Sequence, residues 1–286
     1  MRESVSAGEL TATIGNNEAD DGQRAGYHGL QSLTSVHAPG ESLFVPGLAG
    51  INLEHLLDGR DMRDDNQYFE PRRLPIELER LDSQSVMLHQ DATPTLGVQS
   101  LITFSLRVPH YIDIDLRLVL RRETLARDYL LAFYASYINA PESPAMHFLG
   151  RPRDEPVGEG WLELNSPRHG SGSTVCSVTT SASLPHSMSR ETLAYSYSDL
   201  AWTRPFFFGR RGRMVFALMF EPGHDLRFTH SPTGGGAGNP AWDLQWVLHR
   251  PRVDEEHRLR ARAIYRPWES DRDIAREYEH WDPLLS

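Results

Sequence analysis

The stretch YIDIDLRLVLR, residues 111–121, decides the fold class. Ile112, Ile114, Leu116, Leu118 and Leu120 occupy alternate positions, with Asp113, Asp115, Arg117, Val119 and Arg121 between them. A period of two sends successive side chains to opposite faces, which describes a strand with one buried and one solvated side. Residues 258–266 repeat the pattern, with Leu259, Ala261, Ala263 and Tyr265 on one face and Arg258, Arg260 and Arg262 on the other. That arginine stripe reads as a solvated face, or as cross-strand partner to acidic side chains such as Asp113 and Asp115.

Further β-type segments, punctuated by Pro, Gly, Ser and Asp, are expected at 30–36, 42–45, 85–90, 98–107, 129–138, 146–149, 161–165, 174–180, 213–220, 226–230 and 242–249. So many strands, with no alternation of strands and long amphipathic helices, suit a sandwich and disfavour a doubly wound sheet or a (β/α)8 barrel. One helix is expected at about 270–282, where Ser270 stands three residues before Asp273 and Ile274, Tyr278 and Trp281 form an apolar stripe. A helical turn is expected over 53–57, followed by a surface loop over 58–67. The predicted organisation is a flexible N-terminal tail over 1–25 and one all-β sandwich domain over 26–286 that includes the C-terminal helix.

The chain has 286 residues, 39% apolar and 24% charged, enough for a sizeable core. All 29 basic residues are arginine, and the absence of lysine excludes Schiff-base chemistry, pyridoxal phosphate attachment and a Walker-type phosphate loop. A net charge of −10 repels a phosphate backbone and argues against nucleic acid as partner. Cys176 is the single cysteine, so intrachain disulfides and cysteine-based zinc cages are impossible and a reducing compartment is expected. The first 25 residues hold no apolar core of signal-peptide length, and no run reaches the roughly 18 apolar residues of a membrane span. A cytoplasmic protein with no membrane partner is the expectation.

Three groups of segments resemble the galactose mutarotase-like, or aldose 1-epimerase-like, superfamily. Gly29-Leu30-Gln31-Ser32-Leu33, Leu43-Phe44-Val45-Pro46 and Gly50-Ile51-Asn52 look like its opening hairpins. Residues 111–120 and 129–139 are similar to the paired strands that carry the mutarotase acid, and Asp243-Leu244-Gln245 with Ala263-Ile264-Tyr265 to its carboxylate-x-Gln and closing strands. The segments FYASYINAP (133–141) and HSPTGGGAGNPAWD (230–243) also resemble a bacterial protein group, a likeness that implies the fold and no particular chemistry. The resemblance implies a large antiparallel β-sandwich, a supersandwich, acting on a sugar or glycoside by acid/base proton transfer. It departs from the family where Tyr134, Ser136 and Tyr137 stand in place of the general-acid histidine, so another histidine has taken that role or the reaction differs.

Asp243 and Gln245 share one strand face, opposite Trp242, Leu244 and Trp246, and a carboxylate beside an amide can grip a sugar hydroxyl. Asp243 is the expected base. His230, just before the glycine-rich loop that contains Asn239, or His110, at the start of a strand, is the expected acid, because imidazole titrates near neutrality. Arg72 and Arg73 offer planar donor forks for a sugar oxygen, or pair with Glu77 and Glu79. Tyr134, Asn139 and His147 supply rings and polar groups for substrate binding. No cofactor is expected, although His89, His110, His147 and His230 leave a metal-dependent enzyme open, and a non-catalytic sugar-binding module is the other alternative.

Overall fold

The computed structural model describes residues 1–180 and 183–281. Its smaller sheet is antiparallel: β1 (Arg2–Ala7), β2 (Leu10–Gly15) and β3 (Gly29–Ser35). Residues 1–25 are thus folded where a flexible tail was expected. Val5, Ala7, Leu10, Ala12 and Ile14 are buried in the main core, an apolar alternation masked in sequence by the intervening Ser and Thr.

The large sheet runs, neighbour to neighbour, from β4 (Asn52–Leu57) through β9 (Tyr129–Ala135), β17 (Ala241–His249), β16 (Asp225–Ser231), β12 (Thr174–Ser177) and β13 (Tyr197–Trp202) to β10 (Met146–Pro152). It continues through β14 (Phe206–Arg211), β15 (Met214–Phe220), β18 (Glu256–Pro267), β8 (Tyr111–Leu120), β7 (Val98–Arg107) and β6 (Ser85–Gln90) to β5 (Glu77–Arg80), with β11 (Gly160–Leu164) paired to β10. Such a sheet twists and folds over on itself into a sandwich. Contacts between strands remote in the sheet show the closure. The Trp242 indole of β17 lies so close to Gly209 of β14 that a Cβ there would meet it at 2.1 Å, and Phe207 of β14 packs edge-on against Phe228 of β16 at 5.1 Å.

Strand chemistry follows what covers each face. On β14, Phe207 faces the main core, while Phe206 and Phe208 face a second apolar cluster under α3 (Asp271–His280). Ser270 caps that helix by accepting the Asp273 N–H at 3.2 Å, and Ile274, Tyr278 and Trp281 pack down, with Tyr278 5.1 Å from Phe206. The expected helix is therefore present. On β8 and β18 the polar face carries ion pairs: Arg262 to Asp113 at 2.7 Å, Arg117 to Asp115 at 2.9 Å and Arg258 to Asp115. The sheet ends at β5, four residues long and largely exposed.

One segment reverses its expectation. Residues 53–57 belong to strand β4 and not to a helical turn, and the expected loop gives way at residue 65 to a short helix, α1 (Asp65–Tyr68), which with the following α2 (Glu70–Arg73) packs on β4.

Candidate functional site

Strands β9 and β17 are buried on both faces, although the outer face of β17 carries Asp243 and Gln245. Buried polar groups need partners or a ligand. Beneath the cover formed by α1, α2 and the segment around residues 190–193, Asp243 lines a cavity of about 240 Å³. That is below the roughly 300–1,000 Å³ of drug-sized pockets and suits one small polar ring. Tyr68, Phe69 and Phe133 supply its aromatic walls.

A β-bulge builds the acidic side of the cavity. The pairing of β4 with β9 shifts register between Leu53 and His55, so Glu54 is the extra residue and both Glu54 and His55 line the cavity. Glu54 Oε1 accepts from Arg72 Nη1 at 2.7 Å and from the Tyr137 hydroxyl at 2.9 Å, while Oε2 lies 3.8 Å from His55 Nε2. Arg72 is itself fixed by donating Nε to the Gly26 carbonyl at 2.9 Å and by lying 3.9 Å from the centre of the Tyr27 ring. His55 shares 2.7 Å between Nδ1 and the Tyr68 carbonyl, which assigns the proton to Nδ1 and leaves Nε2 as an acceptor. Burial lowers the His55 pKa and keeps it neutral, against the opposing pull of Glu54.

Asp243 is 1% exposed, and its Oδ1 accepts the Ser136 N–H at 2.9 Å. Burial pushes its carboxyl well above the usual range; the Ser136 bond opposes this and the Glu54 charge adds to it. Burial therefore favours the neutral form of Asp243, which the sequence puts forward as a base. Tyr68 donates to or accepts from Thr192 at 3.0 Å and is pushed up to about 12 by burial, so it stays a neutral phenol. Arg190 lies 4.3 Å over the Tyr68 ring and pairs with Asp65 at 2.7 Å, yet its Nη1 is buried with no hydrogen-bond partner. His169, opposite, meets Ser231 Oγ at 3.1 Å.

The other expected site residues are dispersed. His230 pairs in register with Trp242 and Asp243 with Thr229, so His230 faces away from Asp243. Its Nδ1 accepts the Ser166 N–H at 3.1 Å and its Nε2 meets the Pro144 carbonyl at 2.9 Å, while burial pushes it down to about 4. With both nitrogens engaged, it has no proton to exchange with a ligand in the Asp243 cavity. His110 sits beside Glu9, at 3.3 Å, and Glu277, at 3.8 Å, against the C-terminal helix. Tyr134 pairs with Leu244 and points into the core. Gln245 is held by Thr229 at 2.7 Å and Thr174 at 3.0 Å in a buried network. Asn239 braces the glycine-rich loop by accepting the Ala140 N–H at 2.9 Å, and Asn139 Nδ2 donates to the Ser42 carbonyl at 3.4 Å. Arg73 is exposed and lines a neighbouring cavity with Arg72, and His147 lines a third cavity remote from Asp243. Among the described residues no three His, Cys, Asp or Glu side chains gather as a metal site, and His89 lies beside Gln99 and Glu77.

No family model matches the chain, and no curated protein matches its sequence. Among solved structures it is similar to a candidate aldose 1-epimerase from Escherichia coli K12, at TM-score 0.52 and 9% identity, covering 94% of this chain and 99% of that one. A galactose mutarotase-like protein from Lactobacillus casei aligns over 93% of this chain and 100% of that chain, at 10% identity and TM-score 0.49. The first likeness shows that the chain has the galactose mutarotase-like β-sandwich fold, as its segments implied.

Proposed function

We propose that the chain is a carbohydrate-active enzyme that moves protons on a single sugar ring held between Glu54 and Asp243. The observation that carries this reading is one cavity lined by two carboxyl groups in different settings: Glu54 paired with Arg72 and Tyr137, and Asp243 buried with its pKa raised. A carboxylate held by a guanidinium can take a proton, and a carboxyl whose burial favours its neutral form can give one. On an aldose, Glu54 takes the proton of the anomeric hydroxyl as the bond from C1 to the ring oxygen breaks, and Asp243 gives its proton to that oxygen. The open-chain aldehyde turns, and the same steps in reverse close the ring with the other anomer and restore both groups. His55 Nε2 accepts from a ring hydroxyl and Arg190 Nη1 donates to one, which orients the substrate.

Proton NMR of aldoses, uronates and glycosides in D2O reports anomer interconversion, C–H exchange and elimination together. Glu54→Gln and Asp243→Asn are each expected to slow turnover by at least about 10²-fold while the fold is retained. Full activity in either variant rejects the assignment, and saturable sugar binding with no turnover in the wild type makes the chain a binding module.

A further inference from the structure

The cavity lined by His147, of about 640 Å³, lies on another part of the sandwich and shares no lining residue with the Asp243 cavity. Its floor is Phe208 of β14, with His147 of β10 stacked at 5.0 Å and 14° and Trp268 stacked at 5.3 Å and 26°. Trp161 of β11 stands edge-on to Phe208 at 5.6 Å. Both tryptophans are half-buried, so each is anchored in the fold and still reaches solvent. Around them stand Glu163, 3.7 Å from His147, together with Asp271 and Arg210, the last lying 5.0 Å over the Trp268 ring.

We propose that this cavity is a second binding site, for a neutral saccharide ring. The Trp161 indole matches the C–H face of a sugar, Trp268, which carries Phe208 and Arg210 on its ring, adds a half-buried apolar edge, and carboxylates, a guanidinium and an imidazole on the rim match the hydroxyls as acceptors and donors. The alternatives fit less well. Arg210 already takes the cation position over Trp268, which disfavours a cationic ligand, and Glu142, Glu163 and Asp271 on the rim repel an anion. A purely apolar ligand leaves those rim charges desolvated without partners. The site makes no demand on Glu54 or Asp243, so a glycan held here is anchored apart from the reacting ring.

The test is titration of the full chain with maltohexaose, cellohexaose, xylohexaose and chitohexaose, read by tryptophan emission and by saturation-transfer NMR. At least one probe is expected to bind with millimolar or better affinity. Trp161→Ala and Trp268→Ala should each weaken binding about 10-fold or more, and Asp243→Asn should leave it unchanged. Glu163→Gln, an exposed rim change that spares the core, should weaken it severalfold and covers the case in which a tryptophan variant fails to fold. No binding by any probe up to about 10 mM, binding insensitive to Trp161, Trp268 and Glu163, or selective binding of choline in their place overturns the proposal.

Discussion

Asp243 is the residue at which the proposed function and stability oppose one another. Sealing a carboxyl from water disfavours its ionised form, so the folded chain holds a proton that the unfolded chain releases above the usual carboxyl pKa of about 3.9. The folded state binds more protons across that window, and this part of the stability is intact at low pH and lost as pH rises toward the raised value. An asparagine has no proton to lose. Asp243→Asn should therefore melt at a higher temperature than wild type, by a few degrees at pH 8 and by less at pH 4, while being inactive. Melting curves across that range check it, and a difference that shrinks as pH rises would mean that Asp243 is ionised in the folded chain. Sequence alone located Asp243 and the face it shares with Gln245, because period two fixes faces. It could not show that Gln245 is consumed by Thr174 and Thr229, or that His230 turns the other way, because those follow from pairing register between strands.

At the scale of elements, legibility depended on regularity. Strands β6, β7 and β8 were read nearly residue for residue, because each alternates buried and half-exposed positions along its length. Strand β4 was misread as a helical turn for the same reason that it matters. Its bulge at Glu54 breaks the period-two pattern, and the break is what sends Glu54 and His55 to the cavity together. The site residue with the most chemistry was thus hidden by the irregularity that makes it useful. Strand β14 was missed because Phe206-Phe207-Phe208 is apolar on both faces, one turned to the core and one to α3. The same strand offers a test of how tightly the layers close. A Cβ at Gly209 would meet the Trp242 ring, so Gly209→Ala should destabilise by about 1–3 kcal/mol, measured by denaturant unfolding, with β17 and the cavity on its far face disturbed as well. An unchanged midpoint would show that Trp242 has room to yield.

The whole molecule is a broad curled sheet, and both of its candidate sites lie where a further layer covers or flanks it. The α1–α2 segment and residues 190–193 cover the Glu54–Asp243 cavity, and β11 and the start of α3 flank the aromatic one. An open sheet also has two ends, and they are finished differently. Strand β4 has α2 packed against it, and its Leu53 N–H is bonded to His28 Nε2 at 3.1 Å, so that end has little backbone to offer. Strand β5 is short, its Glu77, Glu79 and Arg80 are exposed, and it reaches the small sheet through an ion pair from Arg80 to Glu3 of β1 at 3.1 Å. A bare strand is a template for another chain to lengthen the sheet, and brevity with charge is how such templating is discouraged. Replacing Glu77 and Glu79 together by valine should convert a well-behaved solution into one whose light scattering climbs with concentration and time, with the unfolding midpoint little changed. Scattering as low as that of wild type would mean that length alone suffices. On this view the acidic pair on β5 contributes little to holding the molecule together and much to keeping one molecule from becoming many.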